Sequence, residues 1–209
     1  GKIPESARYG QYAAHAMVYK PSVSVKLSHK QAEYTGKRIN PPKVTIKKQL
    51  KNAYLERYDD KSPYKIQSMT VGIKDGKLKE IGKYKIVQNT WYNHPETGND
   101  SYSYAIFTVT PIRGKVRRAS SKKPGEVQVS IKKDAQSTGY QIQIACDKKF
   151  RKSVRTIKTT NLQETLKGLS AGKEYYVRVR NYKDVKTCYF KYWTNDDPIS
   201  ETIYGKWSK

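Results

Sequence analysis

Apolar and polar residues alternate one by one along most of the chain, and helical periodicity is nearly absent. The alternation is clear in Ser22-Val-Ser-Val-Lys-Leu27, Lys43-Val-Thr-Ile-Lys47, Lys83-Tyr-Lys-Ile-Val87 and Ser103-Tyr-Ala-Ile-Phe-Thr-Val-Thr110. It continues in Glu126-Val-Gln-Val-Ser-Ile131, Tyr140-Gln-Ile-Gln-Ile144 and Tyr175-Tyr-Val-Arg-Val-Arg180. Successive side chains of a strand point to opposite faces, so each run predicts a strand with one face buried and one in water. Turn formers separate the runs: Tyr34-Thr-Gly36, Asn40-Pro-Pro42, Lys74-Asp-Gly76, Glu96-Thr-Gly-Asn-Asp100, Lys123-Pro-Gly125 and Ser170-Ala-Gly172. Many short strands at this spacing predict an all-β chain folded as β-sandwiches.

With 209 residues, there is room for two sandwiches of about 100 residues each. The expected boundary lies in Pro111-Ile-Arg-Gly-Lys-Val116, after a long apolar strand closes the first. The organisation read from the sequence is residues 1–20 as an N-terminal extension or edge strand, 21–114 as one domain and 115–209 as a second. Segment 48–71, with the charged, Tyr-bearing stretch Tyr54-Leu-Glu-Arg-Tyr-Asp-Asp60, interrupts the first domain and reads as a long loop or a short helix.

The second half resembles a fibronectin type III domain, of the Lys- and Tyr-rich kind common in secreted proteins of Gram-positive bacteria. Leu166-Lys-Gly-Leu-Ser-Ala-Gly-Lys-Glu-Tyr-Tyr-Val-Arg-Val-Arg180 is similar to that family's passage from its fifth to its sixth strand. The resemblance implies structural roles for Leu166, Leu169, Gly172 and Tyr175, the last as a corner tyrosine whose hydroxyl bonds back to the backbone. Gly139-Tyr-Gln-Ile-Gln-Ile144 with Asp147-Lys-Lys-Phe150 resembles the third strand and its exit, and Tyr204-Gly-Lys-Trp-Ser208 resembles the last strand. Two departures stand out. Ile131 occupies the place of the family's usual Trp, leaving volume for Trp193 or Trp207, and the connection over 183–199 is longer than usual. The first half resembles the immunoglobulin-like repeats of bacterial surfaces, through Tyr34-Thr-Gly-Lys-Arg-Ile-Asn-Pro-Pro-Lys-Val-Thr-Ile46, Asp75-Gly-Lys-Leu78 and Gly82-Lys-Tyr-Lys-Ile-Val87. The fold implied is an Ig-like sandwich followed by a fibronectin type III-like one.

Charge sharpens the picture of the surface. Forty-two Lys and Arg face 18 Asp and Glu, a net charge of +24. The excess is even: residues 1–114 hold 20 basic and 9 acidic residues, and 115–209 hold 22 and 9. Such an even spread describes a whole surface, not a basic tail. Lys outnumbers Arg 32 to 10, and Lys stays solvated where Arg reads bases and phosphates, which disfavours nucleic acid as the partner. Only 36% of residues are hydrophobic, but 18 Tyr supply buried ring area, so disorder is not the reading. No window is apolar enough to span a membrane. The chain opens on Gly1, the residue that tag removal leaves, and a trimmed leader is compatible with that start.

Catalytic patterns are absent. His15, His29 and His94 are scattered, with no zinc-ligand spacing, nucleophile elbow or phosphate loop. No metal or cofactor is expected, and Asp59-Asp60 and Asp196-Asp197 read as turns. Under the strand assignment the resemblance implies, Cys146 ends the third strand and Cys188 lies beyond the sixth, near the opposite end of that antiparallel pair, so both are expected to be free thiols. Two aromatic clusters are the candidate ligand-binding residues: Trp91 and Tyr92, and Tyr189, Tyr192 and Trp193. Rings of this kind stack on sugars or accept cations, although alternate residues of a hairpin also simply cover a domain end.

The function expected is therefore a non-catalytic spacer or adhesion element, secreted or held at the cell wall or cell surface, and monomeric. Weak binding to cell-wall polymers, host glycans or another surface protein would accompany it. The alternative is a carbohydrate-binding accessory module of a larger secreted glycan-active enzyme.

Overall fold

The computed structural model describes residues 24–47, 55–56, 65–74, 77–92, 101–188 and 197–209, and for 24, 46–47, 55–56, 88–92 and 101–103 the backbone alone. Every regular element among them is a strand: β1 (Ser24–Leu27), β2 (Gln31–Glu33), β3 (Val44–Lys47), β4 (Leu55–Glu56), β5 (Lys65–Ser68), β6 (Gly82–Tyr92) and β7 (Ser101–Thr110). Then come β8 (Val116–Ser120), β9 (Val127–Ile131), β10 (Gly139–Ala145), β11 (Arg155–Thr159), β12 (Gln163–Leu166), β13 (Tyr176–Thr187) and β14 (Ile199–Tyr204). The chain is all-β, as its alternation predicts. Within 48–71, expected to be a loop or short helix, residues 55–56 and 65–68 are the strands β4 and β5, while 48–54 and 57–64 lie outside the described residues. Residues 1–20 lie outside them as well.

Two compact units divide the chain. One comprises 1–28, 43–65 and 86–105, and the other 29–42, 66–85 and 106–209, so the cut passes through β6 and β7. In the first unit β1 pairs antiparallel with β3, from Ser24 opposite Lys47 to Leu27 opposite Val44. Ser28 N donates to Lys43 O at 2.9 Å and extends that ladder. β4 pairs antiparallel with the end of β6, Leu55 opposite Tyr92.

In the second unit, β8 to β14 build two sheets. Three antiparallel strands in the order β12–β9–β8 form one sheet, and four in the order β11–β10–β13–β14 form the other. Between them lies one apolar core: Val129 and Ile131 from β9, Tyr140, Ile142 and Ile144 from β10, Leu166 from β12 and Val179 from β13. The alternation of β10 explains its placement. Tyr140, Ile142 and Ile144 are buried and Gln141 and Gln143 are not, as a strand with one face on the core requires. Ile131 is 1% exposed, and the ring in its core cluster is that of Tyr140. Trp207 stacks elsewhere, described below, and Trp193 lies outside the described residues. This 3+4 strand order is that of a fibronectin type III-like sandwich.

The other members of this unit pack by their own rules. β2 runs parallel to the end of β7, Gln31 opposite Thr108. Tyr84 and Phe107 are fully buried. The Tyr84 hydroxyl donates to Glu80 O at 2.8 Å, and burial pushes its pKa up to about 12. His29 sits edge-on to Phe107, ring centroids 5.5 Å apart.

Candidate functional site

β13 is the longest strand, and its two faces do different work. Val177, Val179 and Asn181 turn toward the core side, so Arg178 and Arg180 emerge on the outer face of the four-stranded sheet. There they enter a stack of alternating rings and cations. The Arg178 guanidinium lies 4.1 Å from the Phe150 ring centroid and 4.6 Å from that of Trp207. Arg180 lies 4.5 Å from Trp207 and 3.9 Å from Tyr204. Lys158 Nζ closes the row, 5.3 Å from Tyr204 and 4.8 Å from Tyr182. Each guanidinium is aimed by a glutamine of the neighbouring strand: Arg178 Nε donates to Gln143 Oε1 at 2.8 Å, and Arg180 Nε to Gln141 Oε1 at 2.6 Å.

The electrostatics follow from that packing. Desolvation between the rings lowers the pKa of both guanidiniums, and for Arg180 the charge of Arg178 lowers it further while Tyr204 opposes. A hydrogen bond with the Tyr204 hydroxyl holds Lys158 above its ordinary value. None of the three cations forms an ion pair among the described residues. The quadrupoles of the rings supply the compensating attraction. Trp207 has a guanidinium against it from each of two arginines and Tyr204 has one arginine and one lysine, so these rings are engaged by the protein itself. Chemically the stack is a clamp across β11, β10, β13 and β14.

The last segment is tied down at further points. Gly114 N donates to Lys206 O at 3.2 Å, Arg113 Nη1 to Trp207 O at 2.5 Å, and Ser208 N to Val179 O at 2.7 Å. The backbone of Gly114 lies so close to β13 that a Cβ there would meet Val179 O and stand 2.7 Å from Arg180 Cα. Only glycine fits. Beyond the sandwich, β13 and β14 continue as a hairpin toward the segment before β6. Thr70 bridges Thr187, Val71 N donates to Lys186 O at 2.7 Å and Cys188 N to Met69 O at 2.9 Å. Lys83 Nζ meets Glu201 Oε1 at 2.7 Å, while Glu201 Oε2 accepts from the fully buried Thr187 hydroxyl at 3.0 Å. The long connection seen in the sequence is thus in part strand.

Of the residues singled out from sequence, Leu166 is 1% exposed in the core, and Leu169 packs against the same core half-buried. Gly172 has a φ of 74°, a left-handed turn position suited to glycine. The Tyr175 hydroxyl accepts a hydrogen bond from Ser170 N at 3.0 Å. Trp91 and Tyr92 end β6, with their side chains outside the described residues, and Tyr189, Tyr192 and Trp193 lie wholly outside them. Cys146 and Cys188 are free thiols. Among the described residues no cluster of His, Cys, Asp and Glu is able to hold a metal ion. Among them there is likewise no helix long and apolar enough to cross a membrane. The ring–cation stack was not read from the sequence, although Arg178 and Arg180 at alternate positions of one strand were its visible trace.

The strand order of β8 to β14 defines an all-β sandwich. The chain is similar to two solved structures. One is the chicken CNTN1 FN1-FN3 domains, at 14% identity and a TM-score of 0.32, with 68% of this chain and 56% of that one covered. The other is a two-domain fibronectin type III segment from chicken tenascin, at 11% identity and a TM-score of 0.34, covering 88% of this chain and 94% of that one. No family model matches the sequence, and no curated protein does.

Proposed function

We propose that this chain is a non-catalytic spacer and adhesion element of a secreted or cell-surface bacterial protein of Gram-positive type. In this reading an immunoglobulin-like module at 21–114 precedes the sandwich at 115–209. The observation that supports it is the fastening of the last strand. The incoming segment 113–114 is hydrogen-bonded to the outgoing segment 206–207, and the stack of Phe150, Arg178, Trp207, Arg180 and Tyr204 holds the outgoing segment to the sheet. A pull that enters at 113 and leaves at 208 has to break this latch before either edge strand peels away. A module that transmits tension needs that property, and a soluble catalyst does not.

The test is single-molecule extension of the full chain held at its two ends. The expected trace contains a discrete rupture that releases residues 114–206, about 300 Å of extended chain. A smooth extension without that rupture would overturn the spacer reading.

A further inference from the structure

A groove of about 630 Å³ opens where residues 70–74 and 77–81 meet β13, within the size range of about 300–1,000 Å³ usual for ligand sites. Five lysines line it, Lys74, Lys77, Lys79, Lys183 and Lys186, against two acids, Glu80 and Asp184. One Asp184 oxygen is already engaged, accepting from the Thr202 hydroxyl at 2.6 Å. None of the five lysines forms an ion pair among the described residues. Elsewhere in the same unit Lys83 and Lys167 do find carboxylates, so lack of a partner distinguishes the groove lysines from those two. Like charges around a concave wall reinforce one another and attract anions from a distance. Val71, Ile73, Ile81 and Val185 give the wall an aliphatic part, beside Thr70, Gly72 and the polar Gln136.

We propose that this groove docks a saturated anionic polysaccharide, its sulfate, phosphate or carboxylate groups held by the lysines and its ring C–H faces by the aliphatic wall. The inference deepens the adhesive part of the function proposed above and rests on it. Lysine is a compact point charge without arginine's two-pronged geometry, which suits a flexible row of anions more than a fixed one. Single-stranded nucleic acid is held largely by rings on which its bases stack, and the described lining holds no aromatic residue and no arginine.

The probe is dextran sulfate, binding to the full chain at physiological and high salt, with neutral dextran and oligo-dT as comparators. K77Q/K79Q/K186Q removes three charges from the groove, and K122Q/K148Q/K206Q removes three exposed charges elsewhere. The groove triple is expected to weaken binding about tenfold or more and the control triple by less than about threefold, because only close contacts release bound counterions. K77R/K79R/K186R should bind nearly as wild type does, which separates charge from packing, and unchanged melting temperatures verify the fold. Equal losses in both triples would overturn the proposal in favour of a diffuse surface charge. Oligo-dT bound as tightly as dextran sulfate, or neutral dextran competing with it, would overturn the ligand class. A selective loss in the groove triple would stand even if the extension experiment showed no discrete rupture, so the two readings fail separately.

Discussion

The Tyr175 hydroxyl accepts the Ser170 N–H at 3.0 Å, on a pair that water also reaches. Tyr175→Phe is therefore expected to cost only about 1 kcal/mol, the worth of one hydrogen bond whose freed donor finds solvent. Urea denaturation of the whole chain measures it. Tyr84 is the opposite case, fully buried with its hydroxyl bound to Glu80 O. Its pKa rises from 10.0 to about 12 because burial disfavours the phenolate. A raised pKa favours the protonated form in the folded state, so the contribution is complete below pH 10 and is lost as pH climbs from 10 toward 12. The stability gap between wild type and Tyr84→Phe should stay level through neutral pH and shrink across that alkaline window, by about 2 kcal/mol. A gap that is flat to pH 12 would mean that the ring is solvated.

At the scale of elements, among β8 to β14 the strands legible by alternation were the interior ones. In the sandwich, β9, β10 and β13 each have a neighbour on both sides, and all three were readable from their pattern. β8, β11, β12 and β14 are the edges of the two sheets, and alternation did not announce them. β8 carries Arg117-Arg118 at its centre, and β11 buries no residue completely. An edge strand has less of its face covered, so selection for apolar residues there is weak, and charge on it discourages pairing with other chains. The family resemblance put the last strand at 204–208, whereas β14 spans Ile199–Tyr204, so the two share only Tyr204 and the strand begins inside the expected connection. What clamps that strand is testable: Trp207→Ala removes a ring held by two guanidiniums and is expected to destabilise the sandwich by about 2–3 kcal/mol, counting two cation–π contacts and the lost ring area. Thermal denaturation reads it. An effect near zero would show that the hydrogen bonds of 206–208 hold the segment without the stack.

For the whole molecule, a charge of +24 said that the surface is basic and nothing about where basicity has a purpose. Lys74, Lys77 and Lys79 stand about as unremarkably in the sequence as the other lysines, and so do Lys183 and Lys186. Folding brings the two groups to one groove across more than half of the sandwich's length in sequence. The aromatic clusters at 91–92 and 189–193 were conspicuous as sequence, whereas the rings the structure places in an organised array are Phe150, Tyr182, Tyr204 and Trp207.

By itself, then, the sequence determined the class of secondary structure, the inward face of each interior strand and the core it builds. All three are local, set by whether the side chain two positions on is also apolar. Which strands lie side by side, how Arg178 comes to sit between Phe150 and Trp207, and which lysines share a wall were decided only by the tertiary structure. These depend on register between segments far apart in the chain, and a one-residue slip in that register would put every arginine of the clamp on the wrong face.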